Sequence, residues 1–144
     1  MDEAVRQAVE RGFTKQAFMA TLGACLLDIG EGTCAIELPY SETLTQQHGF
    51  FHGGAVATIA DNAAGFAAYS LMTDDRQPLT VEFKINLIAP ASGDRLRGEG
   101  RVLKAGRSIF HVASNVIAVE GTTETLVASA LVTIKATLAV SEVV

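Results

Sequence analysis

Apolar and polar positions change period twice along the chain. Over residues 2–20 the apolar set Val5, Val9, Phe13 and Phe18 recurs at helical spacing, which predicts one or two short amphipathic helices. Cys25 to Ile29 and Thr33 to Leu38 read as two short strands joined by a turn at Gly30-Glu31-Gly32. A polar loop from Ser41 to Phe51 leads into a long apolar run that begins at His52-Gly53-Gly54 and continues from Ala55 to Met72, the length of a central helix. Thr73 to Pro78 breaks that helix. The period then falls to two. Val81, Phe83, Ile85 and Leu87 alternate with Thr80, Glu82, Lys84 and Asn86, so Thr80 to Ala89 reads as a half-buried strand. Arg95 to Leu103, Ser108 to Val119 and Thr125 to Leu138 follow, separated by turns at 90–94, 105–107 and 120–122. Four consecutive strands on short turns predict an antiparallel meander. A lone apolar helix needs a surface to lie on, so the expected class is α+β, a long central helix wrapped by a curved antiparallel sheet.

Composition narrows the picture. The 144 residues suit one domain, 1–144, with 1–20 as an N-terminal helical segment and 140–144 as a loose tail. Apolar residues at 49% and charged residues at 19% exclude a disordered chain. A net charge of -5 speaks against a nucleic-acid partner and against an anionic membrane surface. The polar start Met1-Asp2-Glu3-Ala4-Val5-Arg6 lacks a signal peptide, which points to the cytoplasm. Asp61, Asn62 and Gly65 interrupt the apolar run, so it reads as a buried helix and not a membrane span. Cys25 and Cys34 flank the first turn and could face each other across it, but they have neither CxxC nor zinc spacing and are expected as thiols without a chemical role.

Asp61 is the chemical outlier. A carboxylate in an apolar helix costs several kcal/mol unless it is paired, hydrogen-bonded or hydrated, and burial raises its pKa, making it a better base. Ala57, Thr58, Ala64, Gly65 and Ala68 share its helical face and leave room for a partner helix or a substrate. Val56, Ile59, Ala63 and Phe66 face the other way, toward a sheet. Gly53 and Gly54 open the same helix, where free N–H groups and the dipole stabilise negative charge. His48 and His52 stand four apart, but Gly49 argues for a loop, so no metal is expected.

Two segments are similar to a known family. Gln46-Gln47-His48-Gly49-Phe50-Phe51-His52-Gly53-Gly54 followed by Ala60-Asp61-Asn62-Ala63-Ala64-Gly65, and then Thr80-Val81-Glu82-Phe83-Lys84-Ile85-Asn86 ending in Ala89-Pro90-Ala91, resemble the hotdog-fold thioesterases, and within them the PaaI-like acyl-CoA thioesterases. The resemblance runs from about Leu22 to Ala136. It departs at Gln46, where many relatives have Asn, in the pairing of that Gln with Asp61 where related enzymes use Glu, and at Thr80, where some have Ser. Phe66 stands five residues after Asp61, so the Asp-x4-His of dehydratases and hydratases is absent.

The resemblance implies a hydrolase that splits an acyl-CoA thioester into acid and coenzyme A, with no metal or redox cofactor. Asp61 would serve as general base on water or as nucleophile, and Gly53 and Gly54 as oxyanion donors. Gln46, or its neighbour Gln47, would hold water or the substrate carbonyl. His52 would fix the loop or polarise the carbonyl, and Thr80 would donate a hydrogen bond within the site. Lys104, Arg107 and Ser108 would meet the phosphates of coenzyme A, and Phe51 with Phe50 would line the acyl pocket. Asp61 lies eight residues beyond Gly53, about 12 Å along a helix, too far to share one reacting carbon. The implied answer is a homodimer with each site formed between two subunits, and a tetramer of two such dimers. The alternative is a hotdog domain that binds acyl-CoA as a sensor or carrier without hydrolysing it.

Overall fold

The computed structural model describes residues 1–73 and 75–139; the tail expected over 140–144 lies outside them. The elements are α1 (Glu3–Thr14), α2 (Ala17–Leu22), β1 (Cys25–Gly30), β2 (Thr33–Pro39), a 3-10 turn (Glu42–Leu44), α3 (Gly53–Tyr69), β3 (Arg76–Leu87), β4 (Arg95–Ala105), β5 (Ile109–Glu120) and β6 (Thr123–Leu138). Six strands form one antiparallel sheet in the order β1-β2-β4-β5-β6-β3. The central helix lies across it, mainly over β4, β2 and β5.

This order corrects the expected meander. Only β4, β5 and β6 follow one another; β3 pairs with β6 at the far edge, and β4 pairs with β2. The 88–94 segment is not a hairpin turn. Its backbone bonds reach across the sheet end, from Ile88 to Val127, from Phe51 to Ala91, from Tyr40 to Asp94 and from Asp94 to Val119. β3 also starts earlier than its period showed and includes Pro78, which an edge strand tolerates because one of its sides carries no ladder.

Helix α3 touches the sheet closely because β4 carries Gly98 and Gly100 beneath it. A Cβ on Gly100 would run into the Ala63 carbonyl, and one on Gly98 into Ile59. Val56, Ile59, Ala60, Ala63, Ala64, Ala67 and Ala68 are accordingly buried with Leu96, Val112, Val116 and Ile134 of the sheet. Ala64 and Ala68, read as part of the open Asp61 face, therefore belong to the core; Ala57, Thr58 and Gly65 stay partly open. At the far end Ser70 Oγ donates to the Ala67 carbonyl and accepts from Gly32 N, each at 2.8 Å, which ties the helix to the β1–β2 turn.

Two smaller expectations also change. The N-terminal helix breaks at Lys15-Gln16 and restarts, so the phase resets: Met19 is buried and Phe18 is exposed. Cys25 pairs across the hairpin with Glu37 and Cys34 with Ile29, so the two thiols do not face one another. Burial pushes the Cys34 thiol up to about 12, with the Asp28 charge adding to it, so it stays protonated and unreactive.

Candidate active site

His52 sets the geometry at the head of α3. Its backbone is extended (φ -61°, ψ 140°), and its Nδ1 accepts from the Gly54 N–H at 2.8 Å. An imidazole therefore does the capping that Ser, Thr, Asn or Asp usually does. This corrects the expectation for Gly54, whose amide is committed to the cap. The Gly53 N–H has no acceptor among the described residues, so one donor remains where two were expected.

Before the cap, the 46–50 loop closes on itself. Gln46 N donates to Phe50 O at 2.9 Å, Gly49 N donates to Gln46 O at 3.0 Å, and the Gln46 side-chain carbonyl accepts from His48 N. Its amide NH2 is left to donate. Gln46, Phe50, Gly53, Val56, Leu87 and Ile88 line an open cleft of about 460 Å³. Phe51 supplies the inner wall of this cleft but is itself buried, edge-to-face on Tyr40 with centroids 5.6 Å apart, so Phe50 is the more exposed of the two rings. Gln47 and His48 point to solvent.

Asp61 lies elsewhere. It is half-buried midway along α3, and Thr80 Oγ1 donates to its Oδ1 at 2.8 Å. Burial raises the Asp61 carboxyl above the ordinary aspartate range, and the Thr80 hydrogen bond pulls it part of the way back. Asp61 and Thr80 open into a second cleft of about 260 Å³, which also takes in Gly65, Phe66, Tyr69, Gln77 and Pro78 and is covered by Gly12 and Gln16 of the N-terminal helices. Sequence reasoning missed this covering. Its available signal was Gly12, a glycine inside a helical pattern, which allows α1 to approach Phe66 and Tyr69: a Cβ there would stand 3.3 Å from Phe66 Cε1.

One protomer thus holds two half-sites on one helix. Asp61 joins Thr80 in one cleft, while Gln46, Phe51 and Gly53 join in the other. Lys104, Arg107 and Ser108 enter neither; all three are exposed at the β4–β5 turn. No group of three His, Cys, Asp or Glu side chains among the described residues is placed to hold a metal ion. No described helix is long and apolar enough to cross a membrane.

The sequence profile of the Thioesterase superfamily matches residues 48–125, the stretch from the capping loop through α3 and β3 to the start of β6. A thioesterase family protein of Silicibacter pomeroyi is 38% identical, with 94% of this chain and 99% of that one covered and a TM-score of 0.92. The proofreading thioesterase EntH of Klebsiella pneumoniae is 30% identical over 65% of this chain and 69% of its own. The PaaI protein of the E. coli phenylacetic acid degradation operon, 18% identical with a TM-score of 0.81 over 91% of each chain, shares the fold.

Proposed function

The chain belongs to the Thioesterase superfamily, and from that premise we propose that it hydrolyses acyl-CoA thioesters in a site assembled from two protomers. The observation that carries this reading is the separation of the half-sites. A carboxylate with a raised pKa sits about 12 Å down the helix from an unclaimed N–H at its head. Two antiparallel copies of the helix would bring the acid of one beside the amide of the other, as an isologous dimer requires.

In this mechanism Asp61 takes a proton from water as the water oxygen attacks the thioester carbonyl carbon. The developing oxyanion accepts from the Gly53 N–H of the second protomer, helped by the positive end of the helix. Gln46 donates to the carbonyl through its free amide NH2. Collapse of the tetrahedral intermediate breaks the C–S bond, and the departing thiolate recovers the proton from Asp61. Thr80 orients Asp61, and His52 holds the first turn in shape. Asp61 as nucleophile, through an acyl anhydride that water then opens, uses the same geometry. Lys104, Arg107 and Ser108 receive the phosphates of coenzyme A at the exposed β4–β5 turn.

The test is thiol release from a panel of acyl-CoAs, with wild type beside Asp61→Asn. Turnover by the wild type and a loss of about 10²–10⁴-fold in the variant are expected. Equal turnover in both would remove Asp61 from the chemistry. Tight acyl-CoA binding without release in either would establish a sensor or carrier instead.

A further inference from the structure

The two half-sites offer an elongated substrate different walls. The Asp61 cleft has the carboxamides of Gln16, Asn62 and Gln77 in its lining. The Gly53 cleft has one polar side chain, Gln46, and is otherwise hydrocarbon, with Phe50, Leu87, Ile88 and Val127 among its walls. A coenzyme A thioester has an arm to suit each. Its pantetheine arm carries amides, which are costly to desolvate without partners, whereas a hydrocarbon acyl arm gains from burial. The acyl arm therefore belongs in the Gly53 cleft. One wall of that cleft stands against the residue that carries the unclaimed N–H. A Cβ on Gly53 would lie 3.0 Å from Leu87 Cδ1, inside the roughly 3.5–4.0 Å at which carbon atoms pack best. Apart from its chain neighbours, no other described side chain would come within 4 Å of that Cβ. Leu87 reaches this place from the helix side of the sheet, where its β6 partner Ala128 is buried, and 56% of it remains open to a bound group.

We propose that Leu87 sets selectivity at the acyl carbon next to the thioester, favouring chains unbranched at that carbon over isomers branched there. The carbonyl oxygen rests on the Gly53 N–H, and that carbon is two bonds from the oxygen, so a methyl group on it is set down against Leu87. A branch further along enters the wider cleft of about 460 Å³. The inference rests on the hydrolase reading above and adds a specificity-determining residue to it. One methyl group against a fixed apolar wall changes kcat/KM by about 10–200-fold.

The experiment compares kcat/KM for butyryl-CoA and isobutyryl-CoA, isomers that differ only in where the chain branches, in wild type, Leu87→Ala, Leu87→Phe and Leu131→Ala. Each ratio is taken relative to hydroxide hydrolysis of the same pair, because branching itself slows attack on a carbonyl. Leu131, 60% exposed on the other face of the sheet, controls for the loss of an open leucine. Butyryl-CoA should lead by about tenfold or more in wild type and Leu131→Ala. Leu87→Ala should bring the ratio toward unity, and Leu87→Phe should widen it. No lead in wild type, or a lead that Leu87→Ala retains, overturns the proposal. So does a KM that rises equally for both isomers in Leu87→Ala, which would put the pantetheine arm against Leu87. If wild type hydrolyses neither thioester, the hydrolase reading falls, and calorimetric binding to wild type and Leu87→Ala decides this one. Tighter binding of the butyryl ligand that disappears in the variant then supports it, and equal binding of the two isomers to wild type refutes it.

Discussion

At one edge of the sheet β1 offers six residues, interrupted by a bulge between Leu26 and Asp28, and the Arg6 guanidinium donates to the Ile29 carbonyl at 3.0 Å. At the other edge β3 offers twelve residues, also with a shift of register, between Thr80 and Glu82, and with Leu79, Val81, Phe83 and Leu87 all exposed. Short and covered edges resist pairing; a long apolar one invites it. The covered edge ends the sheet, and the open edge is where a second copy of this chain would continue it. Asp61 and Thr80 lie beside that open edge, so the same surface that would build a dimer would complete the site.

The largest effect is expected from closing the open edge. Val81→Lys combined with Phe83→Lys places like charges where the two β3 strands would meet, so sedimentation should report monomers and thiol release should fall by at least the 10²-fold typical of a lost catalytic group. Leu27→Lys on β1 is the matched change at the covered edge; it should leave the assembly intact and stability within about 0.5 kcal/mol. Dissociation by the β1 variant, or full activity in the β3 monomer, would erase the contrast.

Next in size is the amide at the head of α3. Gly53→Pro removes that N–H at the first helical position, where proline is tolerated, and the extended backbone of His52 suits a residue before proline. The proline Cβ would stand 3.0 Å from Leu87 Cδ1, so Gly53→Ala, which adds the Cβ and keeps the N–H, is the control. A loss of about 10²–10³-fold in kcat with an unchanged circular dichroism spectrum is expected. No loss would place the oxyanion elsewhere.

The electrostatic effects are smaller, and their signs are fixed. The folded-state pKa of Asp61 lies above its unfolded value, so the folded protein binds this proton more tightly. Its contribution to stability is present at low pH and is lost as pH rises through the raised pKa. Asp61→Asn should therefore raise Tm at neutral pH, and the gain should fade on acidification; a lowered Tm would contradict the assignment. Thr80→Val removes the hydrogen bond that lowers the pKa, so the acidic limb of kcat/KM should move to higher pH. A limb that stays in place would separate Thr80 from the titrating group.

Much of this was legible in the sequence because period is local. The alternation in β3 and the small-residue run of α3 marked both elements, and Asp61 stood out as a charge among alanines. Strand order was not legible, since Pro90-Ala91-Ser92-Gly93-Asp94 has the composition of a tight turn while its partners are Phe51, Tyr40 and Val119, far away in sequence. The exposure of Val81, Phe83 and Leu87 follows from that order, because alternation does not show whether anything covers a side chain. Nor did it show the irregularity between Thr80 and Glu82, which puts Thr80 on the helix-facing side with Phe83, Ile85 and Leu87 and not with Glu82. The commitment of the Gly54 amide to His52 was hidden for a chemical reason: histidine is not among the usual capping residues, so HGG read as two free donors.

The most direct test of a site shared between protomers is complementation. Asp61→Asn and Gly53→Pro proteins, each inactive alone, are dissociated, mixed and allowed to reassociate, and thiol release is measured. If each site takes its acid from one chain and its amide from the other, mixed dimers carry one doubly damaged site and one intact site, and about a quarter of wild-type activity should return for random pairing. If acid and amide serve the same site from one chain, every site in the mixture stays damaged and no activity returns, which would contradict the shared site.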